Sequence, residues 1–170
     1  LLLQLRQQAE ELKTLRNLSK RFSANLDLSD ILRAVVTDAM QLQESPRTAH
    51  IFLYNEDKDE LTFGASMDTE GLKEESFSKP RKNGLTYQVA RNAEWVIVPN
   101  IRDHPIYESA PPEWSGSIVG IPLSVRGSVV GVMNISRTDV GDFSEANLRL
   151  LELLAEQAAI AISNAHLHAQ

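Results

Sequence analysis

Cysteine is absent from all 170 residues. That excludes disulfides, thiolate metal ligands, a cysteine nucleophile and any thioether-linked cofactor. Aromatic residues make up only 6%, so any place where they cluster is informative. No apolar run approaches the ~18 residues of a membrane-crossing helix. The opening Leu1-Leu2-Leu3 is too short for a signal-peptide core and lacks a basic start. Positive charge is in deficit, with 17 Lys and Arg against 23 Asp and Glu and a net charge of −6. That balance argues against a surface built for nucleic-acid phosphates. Internal repeats and low-complexity stretches are also missing. What remains is an ordinary soluble composition, 42% hydrophobic and 24% charged, of a length that suits one domain. The chain opens on leucine rather than methionine, and is expected to be a module of a longer protein.

Both ends have a helical pattern. Leu1, Leu5, Gln8, Leu12, Leu15, Ser19 and Phe22 alternate in steps of four and three, a heptad seam with two polar interruptions. No glycine or proline occurs before Pro46. At the other end Leu148, Leu151, Ala155, Ala158, Ile162 and Ala165 repeat with the same spacing, while Leu150, Leu154 and Ala161 widen the stripe. Ser144 is placed to cap this second helix, with Phe143 as a hydrophobic staple. Two amphipathic ends with more apolar surface than one small sheet needs predict a parallel homodimer. Its expected interface is Leu5, Leu12, Leu15, Leu148, Leu151, Ala155, Ala158 and Ile162.

Between the ends, Asp27 or Ser29 caps a helix that runs through Ile31 to Leu42 and stops at Pro46. Residues 47–54 and 60–66 have strand character and flank a charged turn. Residues 66–83 are polar, with Gly71 and Pro80, and predict a surface loop. Residues 84–92 predict a short helix and 94–99 a strand, and the three prolines within 100–114 predict irregular chain. Residues 117–125 and 128–137 form a hairpin around Arg126-Gly127, with Pro122 at an edge or bulge. Hairpins imply antiparallel pairing, so the fold class is α+β.

In that order the segments resemble a GAF domain. The resemblance rests on LDLSDILRAVVTDAM (26–40), the first hairpin (47–66), Asn83-Gly84-Leu85-Thr86, WVIVPNIRD (95–103), the hairpin with Gly120-Ile121-Pro122-Leu123 and Gly131-Val132-Met133-Asn134-Ile135, and Phe143-Ser144-Glu145. It implies a central antiparallel sheet of about six strands, with the N- and C-terminal helices on one face. A short helix and loops would form a small-molecule pocket on the other. Residues 1–24 become a signalling or coiled-coil helix and 25–165 the sensory domain, whose last helix (143–168) continues as an output helix. The resemblance implies a cytoplasmic regulatory module rather than an enzyme, placed beside an output domain such as a histidine kinase or cyclase. It leaves the ligand unnamed.

The cofactor question narrows from the residues. Covalent bilin attachment needs a cysteine, as do the free methionine sulfoxide reductases of this family. Cyclic-nucleotide members carry an Asn-Lys pair, a spaced Phe and a later Asp-Glu. Here those places hold Ser136-Arg137, Phe143 and Asn147-Leu148, and only the phenylalanine matches. No Gly-x-Ser-x-Gly elbow or phosphate loop is present. His166 and His168, two apart on a helix, do not face each other, and no metal site is expected. His50, inside a strand pattern, is expected to be structural. His104 is the residue that would hold haem, which is not expected. The candidate ligand-binding residues are Tyr87, Trp95, Arg102, Asp103, His104, Tyr107, Trp114 and Asn134. They are a cluster of scarce aromatics with convergent polar groups. Asn134 joins them because strand alternation sets it opposite the apolar Met133 and Ile135. No nucleic-acid or membrane contact is expected of this chain.

Overall fold

The computed structural model describes residues 1–25, 27–75 and 79–168, with side chains described for 1–13, 27–75 and 79–167. The elements in chain order are α1 (Leu2–Asn25), α2 (Leu28–Gln41), β1 (Pro46–Asn55), β2 (Glu60–Asp68), β3 (Gly71–Lys73), α3 (Leu85–Asn92), β4 (Val96–Val98), two single 3₁₀ turns (Ile101–Asp103 and Pro105–Tyr107), β5 (Ser117–Val125), β6 (Ser128–Arg137) and α4 (Glu145–His168). The six strands form one antiparallel sheet in the order β3-β2-β1-β6-β5-β4. It is an α+β fold.

Local chemistry sets the boundaries. The Asp27 carboxylate accepts from the Ser29 amide and starts α2. The Ser144 hydroxyl accepts from the Asn147 amide and starts α4. Arg126 and Gly127 both take positive φ, the geometry of a tight turn that matches strand twist. Pro122 lies past the end of β4, which pairs only with Ile118 to Gly120, so its missing N–H costs no ladder bond on that side. The polar stretch after Ser66 is more ordered than its composition predicts. β2 runs on to Asp68, and β3 folds back on it through a turn at Thr69-Glu70. The strand predicted over 94–99 shortens to Val96–Val98.

Alternation along the strands gives the sheet two apolar faces. On one, Ala49, Ile51, Val119, Ile121, Leu123, Met133 and Ile135 meet Leu32, Val35, Val36 and Ala39 of α2 and Leu151, Ala155, Ala158 and Ile162 of α4. Each large side chain fully buried there contributes ~1.5–3 kcal/mol. Gln43 pins the two helices together by donating to the Asn147 side-chain oxygen at 3.0 Å, and Asn147 donates to the Leu42 carbonyl. On the other face, Phe52, Tyr54, Leu61, Val129 and Val132 meet Leu85, Val89 and Ala90 of α3 and Ile101, Tyr107 and Ala110 of the irregular segment.

The placement of α4 revises the expected interface. Leu151, Ala155, Ala158 and Ile162 are buried inside their own protomer, and Leu148 packs partly against the same core. They face the sheet, so no second chain reaches them. The uncovered stripe of α4 is Leu150 (46% exposed), Leu153 (56%), Ile160 (55%) and Leu167 (63%). With Gln157 and Asn164 it repeats in steps of three and four, a second heptad seam offset by two residues from the first. On α1, residues 1–13 are exposed, Leu5 and Leu12 among them. The side chains of Leu15, Ser19, Phe22 and His168 lie outside the described residues.

Candidate ligand-binding face

The face under α3 is organised in rungs, because aligned residues on neighbouring strands share a face. One rung is apolar, with Phe63, Phe52, Val132 and Pro122 paired in turn across β2, β1, β6 and β5. The next is Ser66, His50, Asn134 and Gly120 on the same four strands. The rung after it holds Asp68, Thr48, Ser136 and Ile118. Two polar rungs thus lie beside an apolar one.

α3 sits directly on the polar floor. Gly120 permits this, since a Cβ there would stand 2.6 Å from Leu85 Cδ2 and 2.8 Å from Val89 Cγ2. Thr86 comes down beside Asn134, whose Nδ2 donates to the Thr86 hydroxyl at 2.9 Å. Asn134 is 8% exposed, and its other amide atom, Oδ1, has no hydrogen-bond partner. His50 stands next to it in register, its ring edge-on to Phe52 at 5.9 Å. Burial holds the His50 imidazole down at about pKa 4, so it is neutral at pH 7.

At the hairpin end of the same face an open groove of about 940 Å³ is lined by Phe52, Leu61, Phe63 and Tyr87 together with charged side chains of both signs, Lys58, Lys79 and Lys82 and Glu60, Glu74 and Glu75. A polar clasp closes one side. Asp59, at positive φ in the β1–β2 turn, accepts from Arg91 Nη2 at 2.8 Å and Nε at 3.1 Å. The Tyr54 hydroxyl donates to it at 2.7 Å. These hydrogen bonds, Arg91 first, hold the Asp59 carboxyl down at about 2. Lys82 Nζ and Arg91 Cζ stand 4.6 and 4.9 Å from the centre of the Tyr87 ring, and the Tyr87 hydroxyl accepts from the Leu61 amide.

The candidate residues divide into three groups. Asn134, Tyr87, Tyr107 and Trp114 are on this face. Tyr107 and Trp114 pack at 6.3 Å between ring centres, and burial pushes the Tyr107 hydroxyl up to about 12. Trp95 is elsewhere. Val96 pairs with Gly120 on the α3 side, so the preceding residue turns to the helical side. There Trp95 packs on the α2/α4 core and lines a cleft of about 270 Å³ with Pro122, Glu152 and Glu156. The third group serves the local turns. Arg102 donates to the Pro111 carbonyl at 2.9 Å and reaches those of Ala110 and Trp114. Asp103 accepts from the Asn100 side chain. His104 Nδ1 accepts from the Ile106 amide, the role of a cap.

Sequence reasoning missed His50, Ser66 and Thr86 as members of this face. The signal was available for His50. It has the same parity in β1 as Phe52 and Tyr54, and hairpin pairing sets it against Ser66; only the order of strands in the sheet sets it against Asn134. Thr86 is brought in only by the seating of α3.

The sequence model described as the GAF domain matches residues 25–163. The chain belongs to the GAF domain family. Two curated relatives, the Nif-specific regulatory proteins of Azospirillum lipoferum and Azospirillum brasilense, are each 28% identical over 134 residues. The match takes in 75% of this chain but 21% of theirs, so the chain spans about a fifth of the length of those regulators. Among solved structures, the GAF domain of the Acinetobacter phosphoenolpyruvate-protein phosphotransferase superposes with a TM-score of 0.69 at 26% identity, covering 92% of this chain and 95% of that one. The GAF domain of a Bacillus halodurans two-component sensor histidine kinase gives 0.67 at 21% identity, covering 85% and 99%. The same fold also carries catalysis, as in the type II free methionine-R-sulfoxide reductase of Thermoplasma acidophilum, with a TM-score of 0.65 at 16% identity, covering 81% and 96%. GAF relatives of this chain thus include parts of regulatory and sensor proteins. No described helix is long and apolar enough to cross a membrane.

Proposed function

We propose that this GAF domain is a cytoplasmic, non-catalytic sensory module of a signal-transduction protein, and that it works as a parallel homodimer. A small molecule on the α3 face changes the packing of the sheet, and α4 carries that change to an output domain in the same parent chain, such as a histidine kinase or cyclase. Haem, nucleic acid and membrane contact have no part in this reading. One observation carries it: α4 has two apolar sides. One seals the sheet through Leu151, Ala155, Ala158 and Ile162, and the other is uncovered at Leu150, Leu153, Ile160 and Leu167. A shift in the sheet therefore moves a helix whose opposite stripe is free to pair. Leu5 and Leu12 of α1, equally uncovered, supply a second seam for the same two-fold partner. The regulators and sensor kinases among its relatives support that setting.

A second reading is also supported by the structure. Leu85 and Val89 are packed down on Gly120, so the floor directly under α3 is filled by the chain's own side chains. On that reading the domain is a structural dimerisation module without a ligand. Native mass spectrometry of the freshly purified chain, followed by a thermal-shift screen against metabolites, separates the two. The sensor reading expects a dimer whose melting temperature rises with at least one metabolite. A dimer indifferent to the whole screen selects the scaffold. A monomer at micromolar concentration overturns the dimeric part of both.

A further inference from the structure

The polar rung under α3 restricts what can bind there. Asn134 is 8% exposed and uses one end of its amide on Thr86, while the other end is buried with no partner. A native chain rarely leaves such a group unsatisfied, because the lost hydration is not recovered. His50 is the next residue along the rung, and its ring has no hydrogen-bond partner among the described residues. Its depressed pKa makes it a neutral imidazole, with one donor and one acceptor. Ser66 completes the row and is buried.

Among the described residues, the ionised side chain that register sets on this rung is Lys73, opposite Ser66 at the β3 edge, and it is bound to Asp68 and Glu70. Asp68, in the outer rung, is bound to Lys73 and to the Glu70 amide. The nearby cations are engaged elsewhere. Arg102 is held by the carbonyls of Pro111 and its neighbours, Arg91 and Lys82 by Asp59, and Arg47 by the Ser115 carbonyl. Arg81, whose charge is felt at Tyr107, is exposed. A carboxylate or phosphate pushed down to Asn134 would therefore be desolvated without a counter-ion, which is the costly case. An uncharged group with its own donor and acceptor would satisfy the buried Asn134 amide and pair with the His50 ring.

We infer that the part of the ligand buried on this face is an uncharged, amide-like head that hydrogen-bonds to Asn134 and His50. This rests on the sensory reading given above. The open groove beside Phe52 takes an apolar or aromatic body, since the Phe52 ring separates that groove from His50. Any charge on the ligand stays at the mouth, in water.

The test uses the ¹⁵N-labelled chain and isosteric probe pairs that differ in charge, benzamide against benzoate and nicotinamide against nicotinate, each titrated to millimolar concentration. The two amides are expected to shift the resonances of Gly120, Thr86 and the Asn134 side chain. The carboxylates should bind at least about tenfold more weakly, a difference of ~1.4 kcal/mol. Asn134→Leu should abolish that response while keeping a wild-type spectrum outside α3, with a melting point close to wild type because the lost Thr86 hydrogen bond offsets the removal of an orphaned polar group. His50→Phe should weaken the amides without strengthening the carboxylates. Carboxylates that bind as well as amides overturn the uncharged head and leave the face as a binding site. Probes that shift nothing on this face overturn the uncharged head, while the sensory reading stands or falls with the metabolite screen. An amide response that survives in Asn134→Leu overturns the role of Asn134.

Discussion

Truncating the two sides of α4 in turn separates core from interface. Leu151 is fully buried among the sheet and α2. Leu→Ala in such a site removes the transfer energy and leaves a cavity, at ~2–5 kcal/mol. In a domain of this size each kcal/mol is worth ~2–4 °C of melting temperature. With ~3 kcal/mol as the central value, Leu151→Ala should melt ~6–12 °C below wild type. Leu153 is 56% exposed, so Leu153→Ala forfeits less than half of a leucine's burial, under ~1 kcal/mol and a few degrees at most. Association should follow the opposite order. The double variant Leu153→Lys with Ile160→Lys places charge in the free seam and should sediment as a monomer. Leu151→Ala, where folded, should still sediment as a dimer. Thermal denaturation belongs at a dilution where the wild type is already monomeric, because dimerisation itself raises stability by mass action. Sedimentation velocity belongs at high concentration. A Leu151→Ala chain that melts like wild type but fails to associate would refute the assignment of the two stripes. So would a Leu153→Lys, Ile160→Lys chain that unfolds.

Two further outcomes follow from the α3 face. The folded His50 pKa of about 4 lies below the ordinary imidazole value of 6.5, so between those limits the unfolded chain binds a proton that the folded chain refuses. The contribution is complete above pH 6.5 and is lost as pH falls toward 4, at most ~3 kcal/mol. Urea unfolding over that range should slope less steeply in His50→Phe than in wild type, and parallel curves would show that the imidazole is not held neutral by burial. Gly120→Ala would drive a Cβ into Leu85 and Val89, at ~1–3 kcal/mol of overpacking. Hydrogen exchange should quicken in α3 while α2 stays protected. Unchanged protection of α3 would contradict its close seating on the sheet.

Much of this protein can be read from its residues alone. The caps at Asp27 and Ser144, the turn at Arg126-Gly127 and the period-two alternation of β6 are local, whereas α2 ends at Gln41, before the stop expected at Pro46, which opens β1. Each local feature depends on a few neighbouring side chains and on backbone stereochemistry, so the α+β class, the family and the element order apart from β3 are legible. The side of the sheet faced by Asn134 belongs to the same group. Tertiary structure decided the rest, for reasons tied to particular residues. α4 carries two heptad stripes of equal period, 148/151/155/158/162 and 150/153/157/160/164/167. Periodicity does not say which is core, and only the pairing of α4 with α2 across the sheet buries the first and leaves the second in water. Arg102, Asp103 and His104 have the chemistry of a binding cluster, but their partners are carbonyls and amides of their own turns, a competition that no spacing rule reports. Trp95 falls on the far side because β4 begins one residue later. The polar rung of Ser66, His50 and Asn134 joins strands distant in sequence, and hairpin register with the seating of α3 makes it a site.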